Sequence, residues 1–299
     1  MYSTRRLTLA GVAWMPLFVL LTLALMLVPP EFPRWVLMWS LAVGLYAGLK
    51  WLSWCDGAPS QGPAWKHAAY LLAWPGMDAR SFLASTSQPN RPDLCEWTAA
   101  VAKSVGGAVL ILVGANQIHG TSELIVGWCE MVGLVLLLHC GLFHLLSCFW
   151  RWLGLEAKPI MNSPLLATSV AEFWGRRWNL AFRDLTHRLV FRPLTARWGA
   201  AAALGIGFLI SGIVHEVAIS VPAGSGYGGP TAFFLLQAAA VFVERSRWGR
   251  SIGIGRGVLG WVFTASVLII PVGLLLPPAF VCGIIVPFCH DVGRLVLNR

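Results

Sequence analysis

Residues 124–150, LIVGWCEMVGLVLLLHCGLFHLLSCFW, contain one acidic residue, Glu130, and no lysine or arginine. A bilayer core needs about 20 consecutive apolar residues for each helix that crosses it. The run is continuous instead of alternating, which favours a helix over a strand of a membrane β-barrel. This stretch therefore predicts a membrane-spanning helix.

Similar apolar runs recur along the 299 residues, of which 57% are hydrophobic and 12% charged. Soluble domains are about 25% charged, so the composition excludes an ordinary soluble protein, and it is too hydrophobic for a disordered one. We predict an all-α, polytopic transmembrane helical bundle, formed by a single membrane-embedded domain over residues 1–299. The predicted spans, about eight in number, are residues 7–28, 35–54, 97–117, 124–150, 199–220, 231–243, 258–276 and 279–296.

The net charge of +9 is explained by membrane orientation, so no nucleic-acid partner is expected. Lysine and arginine accumulate in cytoplasmic loops. With the N-terminus inside, only Arg34 of the 22 basic residues falls on the outer side. We therefore predict a multi-pass integral membrane protein with both termini cytoplasmic, in the inner membrane if the source is bacterial. Arg5 and Arg6 precede an apolar stretch too long for a signal peptide, which we expect to remain as the first span.

The most charged part of the molecule is residues 159–199, which we expect to be cytoplasmic. It contains the run FWGRRWN, Phe173 to Asn179, preceded by Ser169 and Glu172 at the spacing of a helix capping box. Apolar residues then recur at helical spacing opposite arginines, which predicts an amphipathic helix at the membrane interface. Such a helix can also serve only to anchor the chain to acidic lipid headgroups.

Within the fifth predicted span, His215 and Glu216 lie among apolar residues. Ionisable groups at membrane depth are costly and are treated as functional by default. A neutral imidazole in an apolar site can accept a proton, as a general base must. The alternative is a histidine that hydrogen-bonds to a neighbouring helix and only packs the bundle.

The FWGRRWN run, followed by SGIVHE at Ser211 to Glu216, resembles the membrane-bound O-acyltransferase superfamily, specifically its wax-synthase-like branch. WPGMD at Trp74 to Asp78 is also similar to that branch. The resemblance implies transfer of an acyl group from acyl-CoA to the hydroxyl of a lipid alcohol. Asn179 and His215 take the positions of the family's asparagine and histidine.

By this resemblance, His215 is expected to act as the general base and Asn179 as an oxyanion donor or an orienting group. We expect substrate-binding roles for a further set of residues: Trp174, Arg176, Arg177, Trp178 and Glu216. The two arginines can pair with the phosphates of CoA or, alternatively, with lipid headgroups. The expected partners are acyl-CoA as co-substrate, a hydrophobic alcohol and membrane lipid. No other cofactor and no metal are expected.

Several alternatives remain open from the sequence. The acceptor can instead be a terpenoid, sterol, sugar or protein hydroxyl. A transporter is a second class, with His215, Glu216, Glu130 and Asp291 as its polar path. A run matching G-x-S-x-G at residues 249–253 lacks the expected strand of a hydrolase. His139 and His144, near Cys140 and Cys148, are better explained by packing than by metal binding, and the seven cysteines are interpreted as buried thiols.

Overall fold

A computed structural model describes residues 2–57, 62–84, 89–115 and 122–297. These residues form helices and connecting turns, with no β-strand among them. Gln117, at the end of a predicted span, and the basic residue Arg299 lie outside the described residues. The α-helices are α1 (Tyr2–Leu27), α2 (Arg34–Gly57), α3 (Ala64–Ala73), α4 (Ala79–Ala84), α5 (Leu94–Ala115), α6 (Glu123–Leu134), α7 (Phe143–Trp152), α8 (Val170–Glu172), α9 (Leu180–Thr186), α10 (Arg192–His215), α11 (Val221–Ala223), α12 (Gly229–Arg245), α13 (Arg247–Ser251), α14 (Gly257–Ile269), α15 (Val272–Leu275), α16 (Pro278–Phe280) and α17 (Val286–Leu297).

Wider π-helical turns continue several of these helices without a break. They comprise Val135–Leu142, Phe173–Arg177, His187–Phe191, Glu216–Ser220 and Val281–Ile285. π-helical turns are rare in proteins, and those that do occur often lie at functional sites. Two of them coincide with the sequence motifs, because one contains FWGRR and another begins directly after His215.

By length and composition, six helical stretches can cross a membrane: Arg34–Gly57, Leu94–Gly114, Glu123–Trp152, Leu180–Ala223, Gly257–Leu275 and Pro278–Val296. The polytopic helical bundle is thereby confirmed. The first predicted span corresponds to the apolar part of α1, Gly11–Leu27, which is shorter than these six stretches. The sixth predicted span corresponds to α12, which has 17 residues. The number of crossings and the cytoplasmic location of both termini stay predictions.

One face of α5 shows how the bundle meets its surroundings. Val101, Val105, Val109 and Val113 recur every four residues and are 48 to 56% exposed. Residues four apart share one face of a helix, so they form a continuous apolar stripe. A stripe of this kind is what a helix presents to lipid tails.

The predicted amphipathic helix is interrupted, and this corrects the expectation of one continuous helix. Trp178 is extended (φ −102°, ψ 128°) and Asn179 is left-handed (φ 41°). Asparagine tolerates the left-handed conformation better than most residues, and its side chain then caps α9. The apolar periodicity continues across this break, which is why the sequence pattern did not reveal it.

A second break, at Gly199, kinks the helix α10. Gly199 has φ 82°, a left-handed value that favours glycine. A Cβ placed on Gly207 would lie 3.9 Å from Cγ2 of Thr186, so the two sides of the break are in contact. Residues on the two sides of the break therefore pack against each other at this point.

Candidate active site

The helix that opens the FWGRRWN segment begins as the sequence predicted, with one difference. Ser169 Oγ accepts a hydrogen bond from the Glu172 N–H at 2.9 Å, as a capping box requires. The Glu172 carboxylate reaches one residue further back than expected and accepts from the Thr168 N–H at 2.8 Å. This bond, together with the neighbouring Arg177, holds the pKa of Glu172 below its ordinary value, although partial burial acts to raise it. Glu172 is therefore an ionised anchor of the segment.

A second glutamate, distant in sequence, holds the same helix end. Glu244 is buried near the C-terminus of α12, and its carboxylate accepts from the N–H groups of Val170 at 2.8 Å and Ala171 at 3.0 Å. A carboxylate is favourable at a helix N-terminus because the unpaired N–H groups and the helix dipole both attract it. Sequence reasoning missed Glu244, and no local signal marks a partner 74 residues away.

The two arginines of the motif have different surroundings. The Arg177 guanidinium pairs with Glu172 at 2.7 Å and donates to the carbonyls of Asn162 at 3.3 Å and Ser163 at 3.1 Å. Arg176 is exposed, and its side chain has no ion pair or hydrogen bond within the described ranges. Arg176 is thus the one of the two with its donors available to a ligand.

Both tryptophans of the motif pack against protein groups. The Trp174 ring lies 5.3 Å from that of Phe234, measured between centroids, and its Nε1 donates to Gln237 at 3.3 Å. The Trp178 ring stacks on Phe173, with centroids 5.5 Å apart and planes 16° apart. Their contacts assign them a packing role, and substrate binding by either stays a prediction.

Asn179 uses only half of its side-chain amide. Its Oδ1 accepts from the Phe182 N–H at 3.3 Å and caps α9. Its Nδ2 donates to no protein group in the part of the chain that the structure describes. The side chain therefore keeps a hydrogen-bond donor for a ligand.

His215 ends α10 and has a defined tautomer. Its Nδ1 lies 2.7 Å from the carbonyl oxygen of Ser211, which can only accept, so Nδ1 carries the proton. In the neutral imidazole, Nε2 is then the acceptor, and it makes no hydrogen bond with the described residues. The Phe234 ring lies against the imidazole, with centroids 4.6 Å apart. His215 thus presents the lone pair that a general base needs.

Phe234 also links the two sequence motifs. It is buried on α12 and contacts His215 of the SGIVHE run and Trp174 of the FWGRRWN run. The two motifs, separated along the chain, therefore belong to one packing unit. Phe234 was not singled out from the sequence, because a phenylalanine in an apolar helix carries no distinguishing local signal.

Asn179 and His215 belong to segments that meet at Phe234, because the rings of Trp174, five residues before Asn179, and of His215 both contact the Phe234 ring. No hydrogen bond joins the two side chains among the described residues, so each is free to act on a third group.

Glu216 is held by the start of the next helix. Its Oε1 accepts from the N–H groups of Gly228 at 3.0 Å and Thr231 at 3.1 Å, and from the Thr231 hydroxyl at 2.9 Å. It thereby caps the N-terminus of α12. The substrate contact expected for Glu216 stays a prediction, and the observed contacts are structural.

The WPGMD segment is held by two basic residues. Lys50 is buried, donates to the Gly76 carbonyl and lies 3.3 Å from the centroid of the Tyr70 ring. Arg188 donates to the Met77 carbonyl at 2.6 Å and to Asp78 at 3.2 Å. The motif is therefore tied by Arg188 to the segment that follows Asn179.

One group of side chains has the donor types of a metal site. Ligand atoms of Glu96, His144 and Cys148 lie within 4.8 Å of one another. The Glu96 carboxylate, however, already contacts His144 Nε2 at 2.9 Å and the guanidinium of Arg151, which also contacts Cys148. A fixed positive charge beside these groups disfavours a cation, so we assign the cluster to helix packing.

The interpretation of all seven cysteines as buried thiols is wrong, because Cys55, Cys95 and Cys129 are exposed in the structure. Two other sequence signals are explained by local bonding. Ser251, in the G-x-S-x-G run, lies in a five-residue helix, where its hydroxyl donates to the Trp248 carbonyl at 2.7 Å, and no strand precedes it among the described residues. In the polar path proposed for a transporter, Asp291 accepts from Trp35 at 2.9 Å, and Glu216 caps a helix. Two of its four members are thus committed to structural bonds.

Comparison with known proteins places this site in a family context. Residues 157–236, which include both Asn179 and His215, match the membrane bound O-acyl transferase family. The long-chain-alcohol O-fatty-acyltransferase of Simmondsia chinensis is 42% identical over 73 residues, 22% of this chain and 21% of that protein. The probable long-chain-alcohol O-fatty-acyltransferase 7 of Arabidopsis thaliana is 29% identical over 159 residues, 49% of this chain and 47% of that protein. The probable long-chain-alcohol O-fatty-acyltransferase 2 of the same plant is 38% identical over 109 residues, 32% of each.

The matched segments cover between 21% and 47% of the length of these three relatives. Within that extent, the resemblance to the wax-synthase-like branch of the superfamily is confirmed. The apolar helices and the family match together describe an integral membrane protein.

Proposed function

We propose that this chain, similar to wax-synthase-like O-acyltransferases, transfers a fatty acyl group from acyl-CoA to the hydroxyl of a lipid alcohol. The observation that carries the proposal is the state of His215. Its Nδ1 proton is held by the Ser211 carbonyl, and its Nε2 lone pair is free in apolar surroundings. An imidazole whose Nδ1 proton is fixed and whose Nε2 is unused by any described residue can take the proton of a substrate hydroxyl.

The proposed reaction gives His215 two proton transfers, one from the alcohol and one to the CoA sulfur. Nε2 takes the proton of the alcohol hydroxyl as the oxygen attacks the thioester carbonyl, forming a tetrahedral intermediate. The C–S bond then breaks, and the CoA thiolate leaves with the proton returned by the imidazolium. The products are an ester and free CoA, and no other co-reactant is needed. General-base catalysis of this kind contributes typically about 10² to 10⁴-fold.

Asn179 is proposed to stabilise the oxyanion of the tetrahedral intermediate. The free Nδ2 donor supports this role over orienting the imidazole, because Oδ1 is already used in capping α9. One such donor is worth about 10² to 10³-fold in kcat. Arg176, exposed and unpaired within the described structure, is proposed to bind the CoA phosphates.

The test is an acyl-transfer assay on isolated membranes that contain the full chain. Radiolabelled long-chain acyl-CoA is supplied with a panel of acceptors: a long-chain alcohol, a terpenoid alcohol, a sterol and a sugar. We expect a labelled ester with the long-chain alcohol, which membranes without the chain do not form. Ester formation only with another acceptor would contradict the proposed acceptor, and no ester with any acceptor would contradict the proposed enzyme.

A further inference from the structure

We infer that Glu216 is a positioning residue, which sets the orientation of His215 through helix α12 and the ring of Phe234. The inference rests on the proposed role of His215 and deepens it. Glu216 follows His215 directly in the sequence, but the Glu216 carboxylate hydrogen-bonds to Gly228 and Thr231 at the start of α12.

The first step is the crossing of α10 and α12. A Cβ placed on Gly212 would lie only 2.7 Å from the Cα of Thr231, so the two backbones are in close contact there. The C-terminal end of α10 meets the N-terminal end of α12 at this point, which makes the pair antiparallel. A larger side chain at Gly212 would force the helices apart.

The second step follows from the direction of helical side chains. His215 lies three residues after Gly212, and Phe234 lies three residues after Thr231. Side chains on an α-helix lean toward its N-terminus, so in an antiparallel pair these two lean toward each other. Their rings meet with centroids 4.6 Å apart. The contact between the His215 and Phe234 rings thus depends on the position of α12 along the axis of α10.

The third step concerns the contacts that fix the position of α12 along the axis of α10. Glu216 directly follows the last residue of α10, just beyond the crossing. Its Oε1 accepts three hydrogen bonds, all from Gly228 and Thr231. A negative charge at a helix N-terminus is electrostatically favourable, which strengthens this connection. Thr231 is therefore held both by the backbone contact and by the carboxylate.

The imidazole of His215 packs against the Phe234 ring on one side, which restricts the orientations that it can adopt. Phe234 itself is restrained by its neighbours Phe233 at 5.4 Å and Trp174 at 5.3 Å, between ring centroids. Rotation or translation of α12 would move the Phe234 ring and thereby change the direction of the His215 Nε2 lone pair. Displacing a reacting group by about 1 Å can cost about 100-fold in rate.

The test compares Glu216→Ala with Glu216→Gln in the purified full chain. Glutamine keeps an accepting oxygen for Gly228 and Thr231, whereas alanine removes it. We expect Glu216→Ala to lower kcat about 10- to 100-fold, with the KM for acyl-CoA within about twofold. Glu216→Gln should stay within about threefold of the native kcat. Glu123→Ala, which removes an exposed glutamate of α6, is the matched control and should be unchanged.

Two results would overturn the inference. Equal loss in Glu216→Gln and Glu216→Ala, with a raised KM, would make Glu216 a substrate-binding residue. Native turnover per folded molecule in Glu216→Ala would remove any role in catalysis. If Glu216→Ala fails to fold, Thr231→Val takes its place, because it removes one donor to Glu216 and leaves the other two bonds. It should lower kcat in part, and an unchanged kcat would overturn the inference.

A measurement without turnover separates this inference from the proposed function. The rate at which diethyl pyrocarbonate modifies His215, followed by mass spectrometry, reports the accessibility of its nitrogen. We expect this rate to change several-fold in Glu216→Ala and not in Glu216→Gln. Identical rates in all three proteins would overturn the positioning role. A chain without acyl-transfer activity but with this pattern would refute the proposed function alone.

Discussion

The contrast between Arg176 and Arg177 gives a prediction that separates ligand binding from folding within one dipeptide. Arg177 pairs with Glu172 and donates to two backbone carbonyls, and only 20% of its side chain is exposed. Arg176 is exposed and has no such partner in the described structure. We expect Arg177→Ala to destabilise the protein and Arg176→Ala to weaken acyl-CoA binding.

The expected magnitudes follow from these contacts. Hydrogen bonds to charged groups contribute about 1.5 to 3 kcal/mol, and removing Arg177 also leaves Glu172 without its counter-charge, so we expect a loss of about 2 to 3 kcal/mol. An exposed ion pair contributes about 0.2 to 1 kcal/mol, so loss of one between Arg176 and a phosphate raises the KM for acyl-CoA about 1.4- to 5-fold. Because the phosphates stay bound in the transition state, kcat should change little.

The assay measures kcat and KM per folded molecule, with thermal stability recorded on the same preparation in lipid nanodiscs. Arg250→Ala, which removes another exposed arginine, is the control for lost charge. A KM effect in Arg177→Ala equal to that in Arg176→Ala, without lower stability, would refute the division of roles. An unchanged KM in Arg176→Ala would assign that residue to lipid headgroups instead.

Three further predictions concern the motif segment and the topology. Asn179→Asp keeps the oxygen that caps Phe182 but replaces the amide donor, so stability should be retained while kcat falls about 100-fold; equal turnover would remove the oxyanion role. Reporter fusions after Gln117 and Arg197 should read as external and cytoplasmic respectively, and the opposite pattern would invert the orientation. Because the folded-state pKa of Glu172 is lowered, its stabilisation is present above the unfolded pKa and lost as pH falls through the folded value. The melting temperatures of the native protein and Glu172→Gln should therefore differ near neutral pH and converge in acid, and a constant difference would contradict the ion pair.

Local features of the site were predictable from the sequence, and connections between distant segments were not. The Ser169 cap follows from spacing within one turn, and His215 stands out because ionisable groups are rare in apolar runs. Glu244, by contrast, caps a helix 74 residues earlier in the chain, and nothing near it indicates this partner. The break at Asn179 was missed because the apolar periodicity persists through a residue whose backbone turns left-handed.

The role of Glu216 shows the same limit. Adjacency to His215 suggested a shared role with substrate, but adjacent helical residues point about 100° apart. The carboxylate therefore faces a different neighbour, the N-terminus of α12. The fold class was predictable because it depends only on run length and charge. The proposed division between catalytic and structural residues rests on the packing of α10 against α12.

The central claim is that His215 accepts the proton of the alcohol, and His215→Ala tests it most directly. His139→Ala is the matched control, because His139 is also a half-buried membrane histidine packed against a phenylalanine, Phe143, with ring centroids 5.4 Å apart. Turnover per folded molecule is measured with labelled acyl-CoA and a long-chain alcohol, and thermal stability on the same samples.

We predict that His215→Ala lowers kcat by about 10² to 10⁴-fold at nearly unchanged KM for acyl-CoA, while His139→Ala keeps native turnover. Near-native turnover in His215→Ala, or a loss of activity only in proportion to lost folded protein, would contradict the account.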